Sequence, residues 1–150
     1  MKTILVTVFA ATTLVACAGG SPGPAALDTK TEVCRSCRMP VSDLRLAAQL
    51  VARGEEPKFF DDIGCLRDFL ARSPAPPASV AYVADHRTGE WVRASAAIYT
   101  RARLDTPMGS HLIAHATSSS READPVAAEG TPVPSRDIFG RAGPPDGHSR

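Results

Sequence analysis

The feature that most narrows what this chain can fold into is an apolar run, Ile4 to Val15, broken only by threonines and followed by Ala16-Cys17. Lys2 places a positive charge ahead of it. A membrane-spanning helix needs roughly 20 apolar residues, so a run this short reads as the hydrophobic part of an export signal. The small Ala16 suits cleavage by a signal peptidase, and a cysteine at the new N-terminus suits thioether lipidation. Residues 1–16 are therefore expected to be a signal peptide and Cys17 the lipid-modified first residue of an extracytoplasmic chain.

The foldable part is bounded at both ends. Residues 17–28 include Ala18-Gly19-Gly20-Ser21-Pro22-Gly23-Pro24-Ala25-Ala26, which offers little apolar area against the entropy of ordering it. A flexible tether is expected there. Residues 140–150, rich in Gly and Pro, are expected to be a disordered tail. This leaves residues 29–139, an ordinary length for one small domain with one core. The chain carries 17 basic and 16 acidic residues, and loss of Lys2 with the signal leaves 16 of each. A neutral surface offers no basic footprint for nucleic acid. It needs none for membrane attachment, which acyl chains supply.

Within the domain, Leu44 to Val51 and Lys58-Phe59-Phe60 read as strands separated by the turn-rich Arg53-Gly54-Glu55-Glu56-Pro57. Asp62 is placed to cap a helix over 63–72, whose Ile63, Leu66, Phe69 and Leu70 fall on one face with Cys65 at its edge. Ser73-Pro74 ends it. Val80 to Val83 and Glu90 to Arg93 form a hairpin pattern around Thr88-Gly89. A loop over 106–110, a strand over 112–114, a helix over 121–128 and a last turn from Ser135 complete the reading. Strands and helices mix without regular β-α alternation, which points to an α+β fold, with weak signs of a two-fold repetition.

The cysteines carry the chemistry. Lipidation consumes Cys17 and leaves Cys34, Cys37 and Cys65, an odd number that cannot all pair within one chain. Cys34-x-x-Cys37 permits three readings: a redox dithiol, half of a zinc knuckle, or part of a soft-metal site. Pro40 opposes the helix that a redox pair normally precedes, and Cys65 has no second cysteine beside it to complete a zinc set. The pair His111-x-x-x-His115 follows a strand instead of lying along a helix. The third reading turns on Met39, which puts a thioether two residues from the Cys37 thiol. Met39 and Met108 are the two methionines left once the signal is removed, and both sit in Pro/Gly-flanked loops away from any periodic apolar face. Thiolate and thioether donors select copper(I) over harder divalent ions.

These residues also carry a resemblance. Cys34-Arg-Ser-Cys37-Arg-Met39-Pro-Val, Phe60-Asp-Asp-Ile-Gly-Cys65-Leu, Tyr82-Val-Ala-Asp85, Glu90-Trp91-Val and Thr106-Pro-Met108-Gly-Ser follow one another as in the NosL family, which the chain resembles over about residues 31–139. The resemblance implies a lipoprotein that binds and chaperones copper(I) for nitrous oxide reductase, and an α+β fold of two related ββαβ-type halves. The Met-Lys start and the Leu-Val-Ala-Cys box resemble bacterial lipoprotein signals in the same sense.

Carried over by residue, Cys37 and Met39 match the Cys-x-Met metal motif, Met108 the Met-Gly loop, and Cys34 an additional family cysteine. Cys65 matches a helix-start cysteine found in a subset of members. His111 stands where a glycine is common, and reads either as an added ligand or as an exposed polar residue at a strand start. Asp61-Asp62 reads as helix capping, and His86 and His148 as turn and tail residues with no ligand role. The expectation is a non-enzymatic copper(I) carrier, lipid-anchored and facing the periplasm, with a copper enzyme as its acceptor. Ala18 after Cys17 points to the outer membrane. The alternatives from other classes are a membrane-anchored thiol-disulfide oxidoreductase using Cys34 and Cys37 and a structural zinc protein that docks partners.

Overall fold

The computed structural model describes residues 20–147 of the 150-residue chain. The expected signal over 1–16, Cys17 and His148 lie outside the described residues. Among the described residues, no helix is long and apolar enough to cross a membrane.

Among the described residues, two small antiparallel sheets and four short helices make an α+β fold. The first sheet contains β1 (Ala48–Val51), β2 (Lys58–Phe60), β3 (Val80–Ala84) and β4 (Trp91–Arg93), in the order β2-β1-β3-β4. The second contains β5 (Ile98–Arg101), β6 (Leu112–His115) and β7 (Thr131–Val133), in the order β6-β5-β7. Helix α1 (Ile63–Arg72) connects β2 to β3, while α2 (Ser118–Glu122) and α3 (Pro125–Ala128) connect β6 to β7. Helix α4 (Ser135–Phe139) follows. Each half thus runs strand, strand, helix, strand with its first strand in the centre, and β4 is added at one edge. The repetition is one of topology.

Register explains the two-sided burial of the first sheet. Ala48, Phe60 and Val83 are cross-strand partners, as are Leu50 and Ala81, and this face packs with Ile63 and Leu66 of α1. Tyr99, Leu112 and Ala114 of the second sheet, with Ile138 of α4, join the same core. On the other face of the second sheet Ile113 packs with Ala127 of α3. The other face of the first sheet carries Gln49, wholly buried in β1, and its Cα partner Tyr82.

That face corrects two expectations. The supposed flexible tether lies over it: Ala25 N–H donates to Gln49 Oε1 at 2.8 Å, Gln49 Nε2 donates back to Ala25 O at 3.1 Å, and Tyr82 Oη donates to Pro22 O at 2.7 Å. The backbone of Ala25 satisfies both ends of the buried Gln49 amide, as another peptide group would. The supposed disordered tail is ordered over residues 140–147. Ala81 N–H donates to Pro145 O and Gly147 N–H to Ser79 O, each at 2.8 Å. A few backbone hydrogen bonds to a sheet edge order a Gly/Pro stretch that has too little apolar area to order itself.

Two element boundaries also differ. Leu44–Leu46 is a 3-10 turn capped by Asp43, so the first strand starts only at Ala48. The helix expected over 121–128 is two helices. Pro125 lacks an N–H and pushes Asp124 out of helical geometry, to φ −97° and ψ 111°, where it caps a new helix.

Candidate metal centre

The chain enters the first site through a tight loop. Cys34 N–H donates to Met39 O at 2.8 Å, Arg38 N–H returns to Cys34 O at 3.0 Å, and Val33 and Pro40 form an isolated antiparallel bridge. Arg38 takes φ +69°, the left-handed value that lets so short a loop close. Arg35 N–H donates to Phe59 O at 2.8 Å and fastens the loop to β2. This folds Cys34 into the core, wholly buried, and leaves Cys37 half-buried.

Helix α1 brings the other residues. The loop between β2 and α1 is two residues long, and the two do different work. Asp62 is the cap, its Oδ1 accepting from Gly64 N–H at 2.5 Å. Asp61 faces the cysteines: Cys37 Sγ donates to Asp61 Oδ2 at 3.2 Å. Cys65, one turn into the helix, completes the group. One ligand atom from each of Cys34, Cys37, Asp61 and Cys65 lies within 4.8 Å of the others. All three cysteines are free thiols.

The donors fit a metal ion. With metal–sulfur bonds of about 2.3 Å, tetrahedral ligands stand roughly 3.8 Å apart, a spacing this cluster needs little movement to reach. Asp61 Oδ1 is buried without a hydrogen-bond partner, leaving a carboxylate oxygen uncommitted. Burial pushes the Cys37 thiol up to about 11, and hydrogen bonding to Asp61 adds to this against a lowering contribution from the Met39 backbone. Burial likewise raises Cys65, with Asp61 and Cys34 reinforcing the shift. The Cys37 and Cys65 thiols therefore hold their protons at neutral pH until a cation displaces them.

The remaining predicted residues lie on two loops: Met39 on that of Cys34, and Met108 and His111 on the loop bound to Asp62. Met39 and Met108 are 57% and 54% exposed, two of the three large apolar side chains at the surface among the described residues. Both are tied to the site by their backbones, Met39 through Cys34 and Met108 through its N–H to Asp62 Oδ2 at 3.1 Å. His111 Nδ1 donates to Leu104 O, 2.7 Å away, and the residue sits at φ +57°. A carbonyl can only accept, so Nδ1 carries the proton and fixes His111 within its own loop.

Asp61 is the residue that sequence reasoning missed, because two adjacent aspartates before a helix look alike as caps. The signal was available in the count: one cap needs one side chain, which leaves the other carboxylate unexplained. A second polar group includes His86, which the sequence reading set aside as a turn residue with no ligand role, and His115, which it considered only with His111. His86, His115 and Asp124 also converge, with one ligand atom from each within 4.8 Å of the others.

The fold and this cluster define a small α+β domain with a cysteine-rich centre able to hold a metal ion. Comparison with protein-family models, with curated proteins and with solved structures gives no match.

Proposed function

We propose that the protein is a copper(I) metallochaperone, lipid-anchored through Cys17 and facing the periplasm, that delivers its ion to a copper enzyme. It is not itself an enzyme on this reading. The observation that carries it is the convergence of Cys34, Cys37 and Cys65 beside two exposed methionines. Thiolate and thioether donors favour monovalent copper. The resemblance to the NosL family names nitrous oxide reductase as the acceptor.

The geometry also supports transfer. Cys34 and Cys65 are buried and fixed, whereas Cys37 is partly open and Met39 and Met108 lie at the surface. An ion held at the cysteine cluster is reachable through the half-buried Cys37, so an acceptor ligand can bind before a donor leaves. A thioether is neutral and weaker than a thiolate, which makes it the group to release first.

The oxidoreductase alternative is disfavoured by the place of the pair: Cys34-x-x-Cys37 lies in a turn and not at a helix N-terminus, the position that activates a redox thiol. Zinc is the stronger second reading, because Asp61 adds a hard oxygen to the donor set. Metal analysis of protein purified without oxygen, followed by copper(I) titration against a competing chelator, separates the three. Copper(I) affinity that collapses in a Cys37→Ala, Met39→Ala double variant is the expected result. Near-unaltered affinity overturns the proposal, and stoichiometric zinc with no preference for copper(I) replaces it by the second reading.

A further inference from the structure

We propose that His86, His115 and Asp124 form a second metal site, chemically distinct from the cysteine cluster, that takes a borderline divalent cation of the zinc type. It does not depend on the copper reading. Its donors are two imidazole nitrogens and one carboxylate oxygen. That set suits zinc and is poorly matched to copper(I), which prefers sulfur.

The three side chains arrive from three elements and meet at one oxygen. His86 Nδ1 is 2.5 Å and His115 Nε2 2.9 Å from Asp124 Oδ2. The other carboxylate oxygen is held by Val126 N–H at 2.9 Å, the cap of α3, so Asp124 presents a single oriented oxygen. His115 belongs to β6, where it pairs with Ile98, and His86 N–H donates to Ala114 O at 2.8 Å. Ligands on paired backbone, with a carboxylate oriented from behind, are what a metal site requires of its scaffold.

The distances decide what must move. Zinc with ligands at about 2.05 Å places neighbouring ligand atoms roughly 3.3 Å apart in a tetrahedron. The two nitrogens must therefore each withdraw from Asp124 by about half an ångström to an ångström. His115 is wholly buried and His86 partly exposed, so the His86 ring is the one with room to swing. The Asp124 carboxylate can only accept, so His86 Nδ1 and His115 Nε2 each donate a proton to it as the side chains stand. A cation must displace both protons, and in His115 the proton can move to Nδ1, which has no other hydrogen-bond partner. Asp85 is not the fourth ligand. Its oxygens already accept from Arg87 N–H, Thr88 N–H, Ala116 N–H and Ser120 Oγ. A water completes the set on the side where His86 is exposed.

The repeated topology places the two clusters in related positions. Asp62 caps α1 and Thr117 caps α2. Asp61 immediately precedes the first cap, and His115 lies two residues before the second. Cys65 and Ser120 each lie three residues after their cap, the one in the cysteine cluster and the other bonded to Asp85 beside His86. In each half a ligand lies where the second strand meets its helix, Asp61 in one and His115 in the other.

The test is cadmium NMR on the full chain, kept reduced and titrated with cadmium as a spectroscopic stand-in for zinc. Two bound resonances are expected, one strongly deshielded by thiolates and one far upfield in the range of nitrogen and oxygen ligands. His86→Asn should abolish the upfield resonance alone. The asparagine amide can keep the hydrogen bond to Asp124 while removing the imidazole, so the fold is retained, which the undisturbed thiolate resonance reports. Zinc added to the wild type should displace the upfield signal. A thiolate resonance alone overturns the second site and leaves the cysteine site standing. An upfield resonance that persists in His86→Asn also overturns it. An upfield resonance without a thiolate one supports it while removing the basis of the copper reading.

Discussion

The backbone N–H of Met108 donates to the carboxylate of Asp62, 3.1 Å away and 46 residues earlier in the chain. The same oxygen accepts from Thr106 Oγ1 at 2.6 Å, so one aspartate holds the methionine loop against the start of α1, directly beside Asp61. Burial opposes the charge on Asp62, but hydrogen bonds from Ser110, Thr106, Gly64 and Met108 outweigh it and keep the carboxyl below its ordinary range. Asp62→Ala removes the cap and the loop anchor together. It should cost about 2–4 kcal/mol, the sum of a lost cap and a buried hydrogen-bond network. Chemical denaturation measures this. A loss below about 0.5 kcal/mol would mean that the loop is held by something else.

Gly64 shows how closely that loop is seated. A Cβ built there would lie 2.7 Å from Ser110 Cβ and 3.0 Å from Asp62 Oδ1. Gly64→Ala should therefore destabilise the protein by about 1–3 kcal/mol, although alanine is the better helix former by about 1 kcal/mol. Copper(I) affinity should fall with it if Met108 is a ligand, because the loop must lift from α1. Thermal unfolding and chelator competition on the same variant read the two effects separately, and a stabilised variant would contradict the packing described.

Much of this was legible beforehand, for identifiable reasons. Helix α1 was readable because Asp62, its apolar face and Ser73-Pro74 all agree on one answer. The hairpin of β3 and β4 was readable because its turn residues lie between two apolar runs. The roles of residues 20–27 and 140–147 were not, since they are ordered by Gln49, Tyr82 and the backbone of Ser79 and Ala81, all distant in sequence. The same holds for the sites. Cys34 and Cys37 announce themselves by spacing, whereas His86, His115 and Asp124 are brought together only by the meeting of β3 with β6 and the break at Pro125.

Asp85 fixes that meeting point and gives the fold an acid limit. It lies at an isolated bridge to Ala114 and is almost wholly buried. Burial works against its charge, yet hydrogen bonds from Ala116, Ser120, Thr88 and Arg87 carry its pKa down to about 2. An unfolded aspartate titrates near about 3.9, so the folded state binds its proton later than the unfolded one. The stabilisation is thus complete above about pH 4 and is lost as the pH falls through about 2, and amounts to roughly 2 kcal/mol. Asp85→Asn should be less stable than wild type at neutral pH, with the gap closing in acid. A gap that stays constant across the titration would show that the charge is not what the four donors recognise.

Metal capture at the cysteine site should likewise strengthen as the pH rises, here because thiol protons are expelled. Burial and Asp61 keep Cys37 protonated up to about 11, and Cys65 is raised in the same direction. Binding at neutral pH must then expel one proton for each thiol that becomes a ligand. Affinity should rise with pH, by up to about tenfold per unit for each proton released. Asp61→Asn removes the carboxylate contribution that holds the Cys37 proton, so it should ease deprotonation while deleting one oxygen donor. If sulfur alone binds copper(I), the variant keeps or improves its affinity; if Asp61 is a ligand, as a zinc site would require, it loses affinity at every pH. Competition against a chelator of known protonation, between about pH 6 and about pH 8, distinguishes the two, and an affinity independent of pH would remove these thiols from the metal site altogether.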